Sequence, residues 1–398
     1  MKIRRLLPLL LLLPALVRAD AVDDYLKSQM AEKKIPGMAI GIFRDGKLVK
    51  AAGYGSTKVE GGSAVTPDTL FNIGSITKQF TATAVLLLER DGKLSVDDPV
   101  RKLLPEAPKE WGDMRIRHVL SHTSGLGDYG SVPGFDFLGD PSEEDLVKGL
   151  AQTKLQSEPG AKYSYSNIGY AMLGVLIHRA SGMPYEEFVN TRILKPAGMV
   201  ATRFVPKGDW PAGSAVGYVQ RGESQVPGPT QRARPSAPAG AILTNVPDML
   251  KWEIAMRNGT VLPKSDLERM WKPFVLNDGT ASTYGFGWVI PTGAKGDVVM
   301  HTGATVAGFR AVIIRQRATG LTAVLFANFG GDWNPTATLN QAVTLFLKQP
   351  PSRATRPTSG RGTRVAPKRR GWSGVPRPLD GRADLKTANT QTGSRKLG

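Results

Sequence analysis

Phe71-Asn72-Ile73-Gly74-Ser75-Ile76-Thr77-Lys78-Gln79-Phe80-Thr81-Ala82 sets a serine and a lysine three residues apart where a helical pattern begins. The residues that follow, Thr81 to Glu89, are rich in Ala and Leu and repeat with helical period, which offers Val85, Leu86 and Leu88 as a buried face. Positions i and i+3 share one side of a helix, so the Ser75 hydroxyl and the Lys78 amine can enter the same cleft. A helix N-terminus is partly positive and favours an alkoxide or an unprotonated amine. A serine alone is a weak nucleophile and needs a neighbour to take its proton. The spacing by itself decides nothing, since a chain of this length holds on the order of one Ser-x-x-Lys by chance. Partners elsewhere must carry the case.

Two further stretches supply them. In Pro159-Gly160-Ala161-Lys162-Tyr163-Ser164-Tyr165-Ser166-Asn167-Ile168-Gly169-Tyr170 an aromatic turn runs into a helical pattern. Tyr165 and Asn167, two apart on that turn, can both face a cleft. The phenol can pass protons to and from a serine or a leaving group, and the amide can bind Lys78 and substrate; the plain alternative is an aromatic cluster with Asn as a helix cap. His301-Thr302-Gly303-Ala304 closes a β-like run, where an edge position beside Gly lets a substrate backbone lie alongside. The backbone N–H of Ala304 is a candidate oxyanion donor there.

The periodicity around these stretches predicts an α+β fold. Ala21 to Lys34 reads as an amphipathic helix. Gly37–Phe43 and Lys47–Gly55 are short β runs joined through Arg44-Asp45-Gly46, whose Asp-Gly supplies the positive φ of a hairpin turn. Helical patterns follow at 116–121, 143–152, 168–181 and 185–193, and 205–238 is a Pro-, Gly- and Arg-rich loop region. Strand character returns at 298–301, 310–315 and 322–328 before a closing helix at 338–347. Strands, a helical stretch of about 80–238, then strands again predict one antiparallel sheet built from both chain ends, flanked by helices, with an all-helical domain inserted.

With 398 residues, 41% of them hydrophobic, the chain can bury a sizeable core. It has no cysteine, which excludes disulfides, thiolate metal sites, a cysteine nucleophile and a lipid-modified N-terminal cysteine. Residues 1–19 read as a secretory signal peptide: Lys2, Arg4 and Arg5, an apolar run from Leu6 to Val17, then Val17 and Ala19 as small residues for cleavage. Export to the periplasm or medium is the expectation. The folded domain is placed at 20–349. The net charge of +18 invites a nucleic-acid reading, but from Arg353 onward twelve Lys and Arg stand against Asp380 and Asp384. More than half the excess is therefore local to 350–398, which reads as a disordered basic tail, so no nucleic acid is expected. An anionic envelope polymer or membrane surface is the partner such a tail fits. His118 and His122 are four apart, as a helical metal pair is, but no Glu follows His118 and no third ligand is evident; no metal and no cofactor is expected. His122 and Ser124 are read as shaping a loop near the site.

Taken together and in this order, the motifs resemble those of the penicillin-recognising serine hydrolases, in particular the class C β-lactamase-like branch. Ser75-Ile-Thr-Lys78, Tyr165-Ser-Asn167 and His301-Thr-Gly303 match its Ser-x-x-Lys, its Tyr-x-Asn and its Lys- or His-containing strand triplet. Leu120–Leu126, Leu194–Met199, Pro238–Thr244 and Tyr284–Trp288 look like the same family, so the resemblance spans roughly Ala21 to Leu347. It implies a β-lactamase/transpeptidase-like fold and a serine hydrolase related to β-lactamases, D,D-peptidases, D-amino-acid peptidases and carboxylesterases, acting on a small-molecule or peptide substrate. Ser75 is then the nucleophile, Lys78 and Tyr165 share the acid and base work, Asn167 holds Lys78 and the substrate amide, and the N–H groups of Ser75 and Ala304 form the oxyanion hole. His301 stands where many members carry Lys. A mostly neutral imidazole attracts a carboxylate less, which turns the expectation toward esters or amides. Arg310 restores the charge if it faces the cleft. The alternatives are a penicillin- or muropeptide-binding protein with little turnover, and a true β-lactamase.

Overall fold

A computed structural model describes residues 20–349, apart from 137, 138, 140, 206–209, 230–233 and 295. The expected signal peptide 1–19 and basic tail 350–398 lie outside the described residues. Helix α1 (Ala21–Lys33) leads into the hairpin of β1 (Gly37–Arg44) and β2 (Lys47–Gly55). Its two-residue turn has φ of 53° at Asp45 and 72° at Gly46, the paired positive values that the Asp-Gly sequence predicts. Strand β3 (Phe71–Asn72) runs through a 3-10 turn, Gly74–Thr77, into α2 (Lys78–Arg90). Helices α3 (Ile116–Leu120), α4 (Glu143–Leu150), α5 (Asn167–Ser181) and α6 (Tyr185–Val189) stand where the periodicity places them. Then come β4 (Arg203–Phe204), β5 (Tyr218–Arg221), β6 (Ser224–Pro227), α7 (Ala237–Gly240), β7 (Ile242–Thr244), α8 (Val246–Asn258) and α9 (Lys264–Met270). Strands β8 (Val298–Thr305), β9 (Phe309–Gln316) and β10 (Leu321–Ala327) and helix α10 (Pro335–Lys348) complete the described chain.

The main sheet has five strands in the order β2-β1-β10-β9-β8, every neighbouring pair antiparallel. The β1–β10 pairing joins the two ends of the chain, as the strand–helix–strand pattern requires. Alternation along each strand divides the core between the two sheet faces. Ile40, Ile42, Val312, Ile314 and Leu325 pack toward α1 and α10. Ala39, Ala311, Ile313, Val324 and Phe326 pack on the other side, against the helical region. Strand β8 is one edge of the sheet, and its far edge is open to the cleft described below.

Two expectations need correction. Helix α2 buries more than the face of Val85, Leu86 and Leu88: every residue from Lys78 to Leu88 is buried, because helical segments cover the side away from the sheet. Its polar residues accordingly find internal partners, such as Thr81 Oγ1 donating to Pro238 O at 2.7 Å. The inserted stretch of about 80–238 is not all-helical, since β4 lies in it and β5 and β6 form a hairpin within its loop-rich part. A small sheet in the order β3-β7-β4 also appears. Its strands of two or three residues are too short to show a period in sequence, yet they anchor the Ser75 turn: Ile73 N–H donates to Ile242 O at 3.0 Å.

Candidate active site

The turn after β3 is built from close backbone approach. Asn72 Oδ1 accepts from Gly74 N–H at 2.9 Å. Gly74 has φ of 51°, and a Cβ there would stand 2.8 Å from Ala304 N. A Cβ on Gly303 would stand 1.9 Å from Ile73 O. Only glycine fits at both positions, so the edge of β8 can lie directly on the Ser75 turn. Ser75 is half-buried, and Lys78, the first residue of α2, is wholly buried.

Lys78 Nζ has three neighbours: Ser75 Oγ at 3.1 Å, Asn167 Oδ1 at 2.8 Å and Ala239 O at 2.7 Å. None carries a charge. Burial holds its pKa down at about 7 against an ordinary 10.5, with the Asp128 carboxylate opposing part of that shift. The helix N-terminus works in the same direction as burial, since its partial positive charge disfavours a second cation.

Ser166 caps α5: its Oγ accepts from Gly169 N–H at 3.1 Å and donates to Gly127 O at 2.6 Å. The cap is thus Ser166 and not Asn167, which leaves the Asn167 side chain free to reach Lys78. The Tyr165 phenol neighbours Ser75. Burial pushes its pKa well above 10, the adjacent Ser75 hydroxyl only partly offsetting that. Tyr165 is therefore a proton-carrying phenol at neutral pH, next to a serine and 4.9 Å, ring centroid to amine, from Lys78.

On β8, Met300 exchanges backbone hydrogen bonds with Val289 (2.8 and 2.9 Å), on the side away from β9. Two-residue alternation then turns the N–H groups of Thr302 and Ala304 to that same side, toward the Ser75 turn. Thr302 and Ala304 are exposed along this edge. His301 is buried, with both ring nitrogens occupied: Tyr284 Oη lies 2.7 Å from Nε2 and Thr302 O lies 2.6 Å from Nδ1. Because a carbonyl only accepts, Nδ1 carries the hydrogen and Nε2 accepts from the phenol. Burial, with the nearby Lys78 adding to it, takes the His301 pKa to about 3. His301 is a neutral, internally satisfied side chain. Arg310 does not restore the missing charge. It pairs with Ala304 in register and alternates out of phase with Ala311 and Ile313, on the sheet face opposite His301, where its Nη2 donates to Gly330 O at 3.1 Å.

The structure thus brings Ser75, Lys78, Tyr165, Asn167, Thr302, Gly303 and Ala304 to one cleft and withdraws His301 behind its wall. It also adds two residues. His122, read as shaping a nearby loop, has φ of 57°, a left-handed conformation that few non-glycine residues adopt. Its Nδ1 accepts from Ser166 N–H at 3.1 Å, and its ring lies on Tyr165 with centroids 4.1 Å apart. The Leu120–Leu126 stretch was the available signal. Asp128 accepts from Asn167 N–H at 3.0 Å and from Asn167 Nδ2 at 3.1 Å; nothing in its spacing marks it in sequence. His118 is a helix-start acceptor, with Nδ1 3.1 Å from Arg115 N, and makes no pair with His122.

Comparison with known proteins gives the family. The Beta-lactamase family profile matches residues 22–384. The putative penicillin-binding protein PbpX of Bacillus subtilis (strain 168) is 30% identical over 311 residues, which cover 78% of this chain and 74% of that protein. The octameric penicillin-binding protein homologue from Pyrococcus abyssi is similar in structure, with a TM-score of 0.71 at 30% identity over 82% of this chain and 76% of that one. The structure of SurE with D-Leu gives a TM-score of 0.65 at 26% identity, over 83% and 74%.

Proposed function

From the premise that the chain belongs to the beta-lactamase family and is a serine hydrolase, we propose that it cleaves an ester or amide through an acyl-enzyme on Ser75. One observation carries the reading. Two of the three partners of Lys78 Nζ, Asn167 Oδ1 and Ala239 O, can only accept. A neutral amine has two hydrogens for them and one lone pair left, and that lone pair meets the Ser75 hydroxyl, which can donate. With a pKa of about 7 the amine is available as a base near neutral pH.

The steps follow from the geometry. The Ser75 proton passes to Lys78 Nζ as Oγ attacks the carbonyl carbon. The N–H groups of Ser75 and Ala304 receive the oxyanion. Collapse expels the leaving group, which takes a proton from the Tyr165 phenol, and the phenol is reprotonated from Lys78. Water then repeats the sequence in reverse on the acyl-enzyme. Lys78 is the first base because it is half-neutral near pH 7, whereas Tyr165 holds its proton.

Among the described residues, a neutral His301 and an Arg310 on the opposite sheet face leave the β8 edge without the cation that would draw a substrate carboxylate. This favours uncharged esters or amides over penicillins. A second reading, a D-aminoacyl amide or ester, is favoured by the likeness to SurE, which has been crystallised with D-Leu. Residues 1–19 support export, and recovery of a mature protein that begins at Asp20 checks it. The test of the main reading is intact-protein mass after a fluorophosphonate, p-nitrophenyl acetate and a penicillin, beside Ser75→Ala. Adducts on the native chain that vanish in the variant are expected, fastest with the ester. A fluorophosphonate adduct that persists in Ser75→Ala overturns the assignment.

A further inference from the structure

We infer that Asp128 is a positioning residue for acylation: its carboxylate takes both nitrogens of Asn167 and so sets the amide oxygen, rather than the amide nitrogen, against Lys78. The inference rests on Lys78 as the base that activates Ser75. Asp128 Oδ1 accepts from the N–H groups of Tyr129 (2.9 Å) and Asn167 (3.0 Å), while Oδ2 accepts from Asn167 Nδ2 at 3.1 Å. An asparagine amide can turn over with almost no change of shape. Turned over, Asn167 would present Nδ2 to Lys78 and donate into the lone pair that the Ser75 proton needs. A carboxylate has no hydrogen to give, so the turned-over amide would put its oxygen against an oxygen of Asp128. That repulsion keeps the Lys78 lone pair free for serine.

The same carboxylate biases the amine electrostatically. Among the described residues, the titratable groups that face Lys78 are His122 and His301, both held neutral by burial, the Tyr165 and Tyr170 phenols, both held protonated by burial, and Asp128. Asp128 is the anion among them, and it favours the protonated amine, opposite to burial. Asp128→Asn therefore has two separable effects. Losing the charge lowers the pH at which Lys78 becomes neutral. Losing the acceptor-only group lets the Asn167 amide take either orientation, which lowers the plateau rate.

The experiment is the pH–rate profile of p-nitrophenyl acetate acylation for the wild type, D128N, D128E, N167A and the double variant D128N/N167A, with unfolding curves for each. In D128N the acidic limb is expected to move about one pH unit lower and the plateau to fall about tenfold. D128E keeps an acceptor-only anion and is expected to hold the limb at the wild-type pH. In the N167A background D128N is expected to cost no further plateau rate, because its effect on the plateau runs through that amide. A limb and plateau unchanged in D128N, or equal plateau losses from D128N with and without Asn167, overturn the inference. So does a limb displaced in D128E, which also decides the matter if D128N does not fold. A wild type that fails to acylate at Ser75 is a failure of the underlying reading and is recognised by the fluorophosphonate mass shift; an acylating wild type with an indifferent D128N is a failure of this inference alone.

Discussion

Lys78 and Arg315 are both cationic side chains buried on the helical side of the five-stranded sheet, yet their partners differ in kind. Arg315, on β9, has the Glu253 carboxylate of α8 at 3.2 Å and lies over the Trp271 ring at 4.8 Å. Glu253 is held further by the Thr322 hydroxyl at 2.9 Å. Lys78 has a hydroxyl, an amide oxygen and a backbone carbonyl, with its carboxylate, Asp128, one side chain away. A direct carboxylate and an aromatic face keep a buried guanidinium charged and make it a fixed strut. Neutral acceptors alone cannot hold a buried ammonium charged, so the amine titrates near neutrality. The same protein interior therefore yields a structural charge at one place and an amine that loses its proton near pH 7 at the other, and the choice of partner decides which.

The contrast is broken most severely at the base. Lys78→Met keeps length and apolar stem while removing the amine, and Ser75 acylation by p-nitrophenyl acetate is expected to fall about 10²- to 10⁴-fold, the usual worth of general acid–base catalysis. Stopped-flow acylation rates check it; a loss of less than tenfold would show that another group deprotonates the serine. At the strut the expectation is reversed. Glu253→Gln leaves Arg315 buried without its anion and is expected to cost about 3–5 kcal/mol of stability, read from urea unfolding, with the rate per folded molecule unchanged. Replacing both members with apolar residues, Glu253→Leu with Arg315→Met, is expected to recover most of that loss, which a catalytic role for the pair would not allow.

The two cations also part company in how stability depends on pH. Unfolded, Lys78 binds its proton up to about pH 10.4; folded, it releases it near 7. Between those values the unfolded chain binds more protons, so stability contributed at this site rises with pH, by at most about 1.4 kcal/mol per pH unit. Below pH 7 both states are protonated and the full penalty of burying the charge remains. Lys78→Met removes this slope. The difference in unfolding free energy, native minus variant, is therefore expected to climb by a few kcal/mol between pH 7 and 10. A flat difference would mean that Lys78 is not depressed in the folded state, and the contrast with Arg315 would collapse.

Much of this was legible in the residues. The Asp45-Gly46 turn, the continuous apolar, β-branched runs at β9 and β10 and the Ala- and Leu-rich run of α2 each state their structure locally, because turn chemistry and residue preference are local properties. Ser75, Lys78, Tyr165 and Asn167 stood out because their types and spacings fit one chemistry. What did not show was whatever depends on distant neighbours. Full burial of α2 requires knowing what covers it, and β3, β4 and β7 are too short to carry a period. His301 reads as exposed on a strand edge until Tyr284, seventeen positions earlier, is seen to occupy its outer nitrogen. Arg310 shows its sheet face only through the register of β8 with β9.

His122 offers the finest test, because it is a third buried titratable group that neither pairs with an anion nor titrates in the working range. Its pKa is held well below 6.5 by burial, then by Lys78 and His301, so beside the base it adds bulk and a hydrogen-bond acceptor but no charge. Two features of it bear on Tyr165: Nδ1 holds the N–H of Ser166, and the ring lies against the phenol. Asparagine tolerates the left-handed backbone and can place Oδ1 near the position of Nδ1, so His122→Asn removes the ring while keeping the turn. The phenol would then lose one wall and spend part of its time out of line with Ser75. A fall in kcat of about three- to tenfold is expected, near 1 kcal/mol, with KM for the ester unchanged, since nothing that binds substrate has moved. Steady-state kinetics with p-nitrophenyl acetate separates the two constants. If KM rises instead and kcat holds, His122 supports the cleft wall and not the phenol. If neither changes, the bond to Ser166 alone orients Tyr165, and the stacked ring serves only to exclude water from the neutral amine.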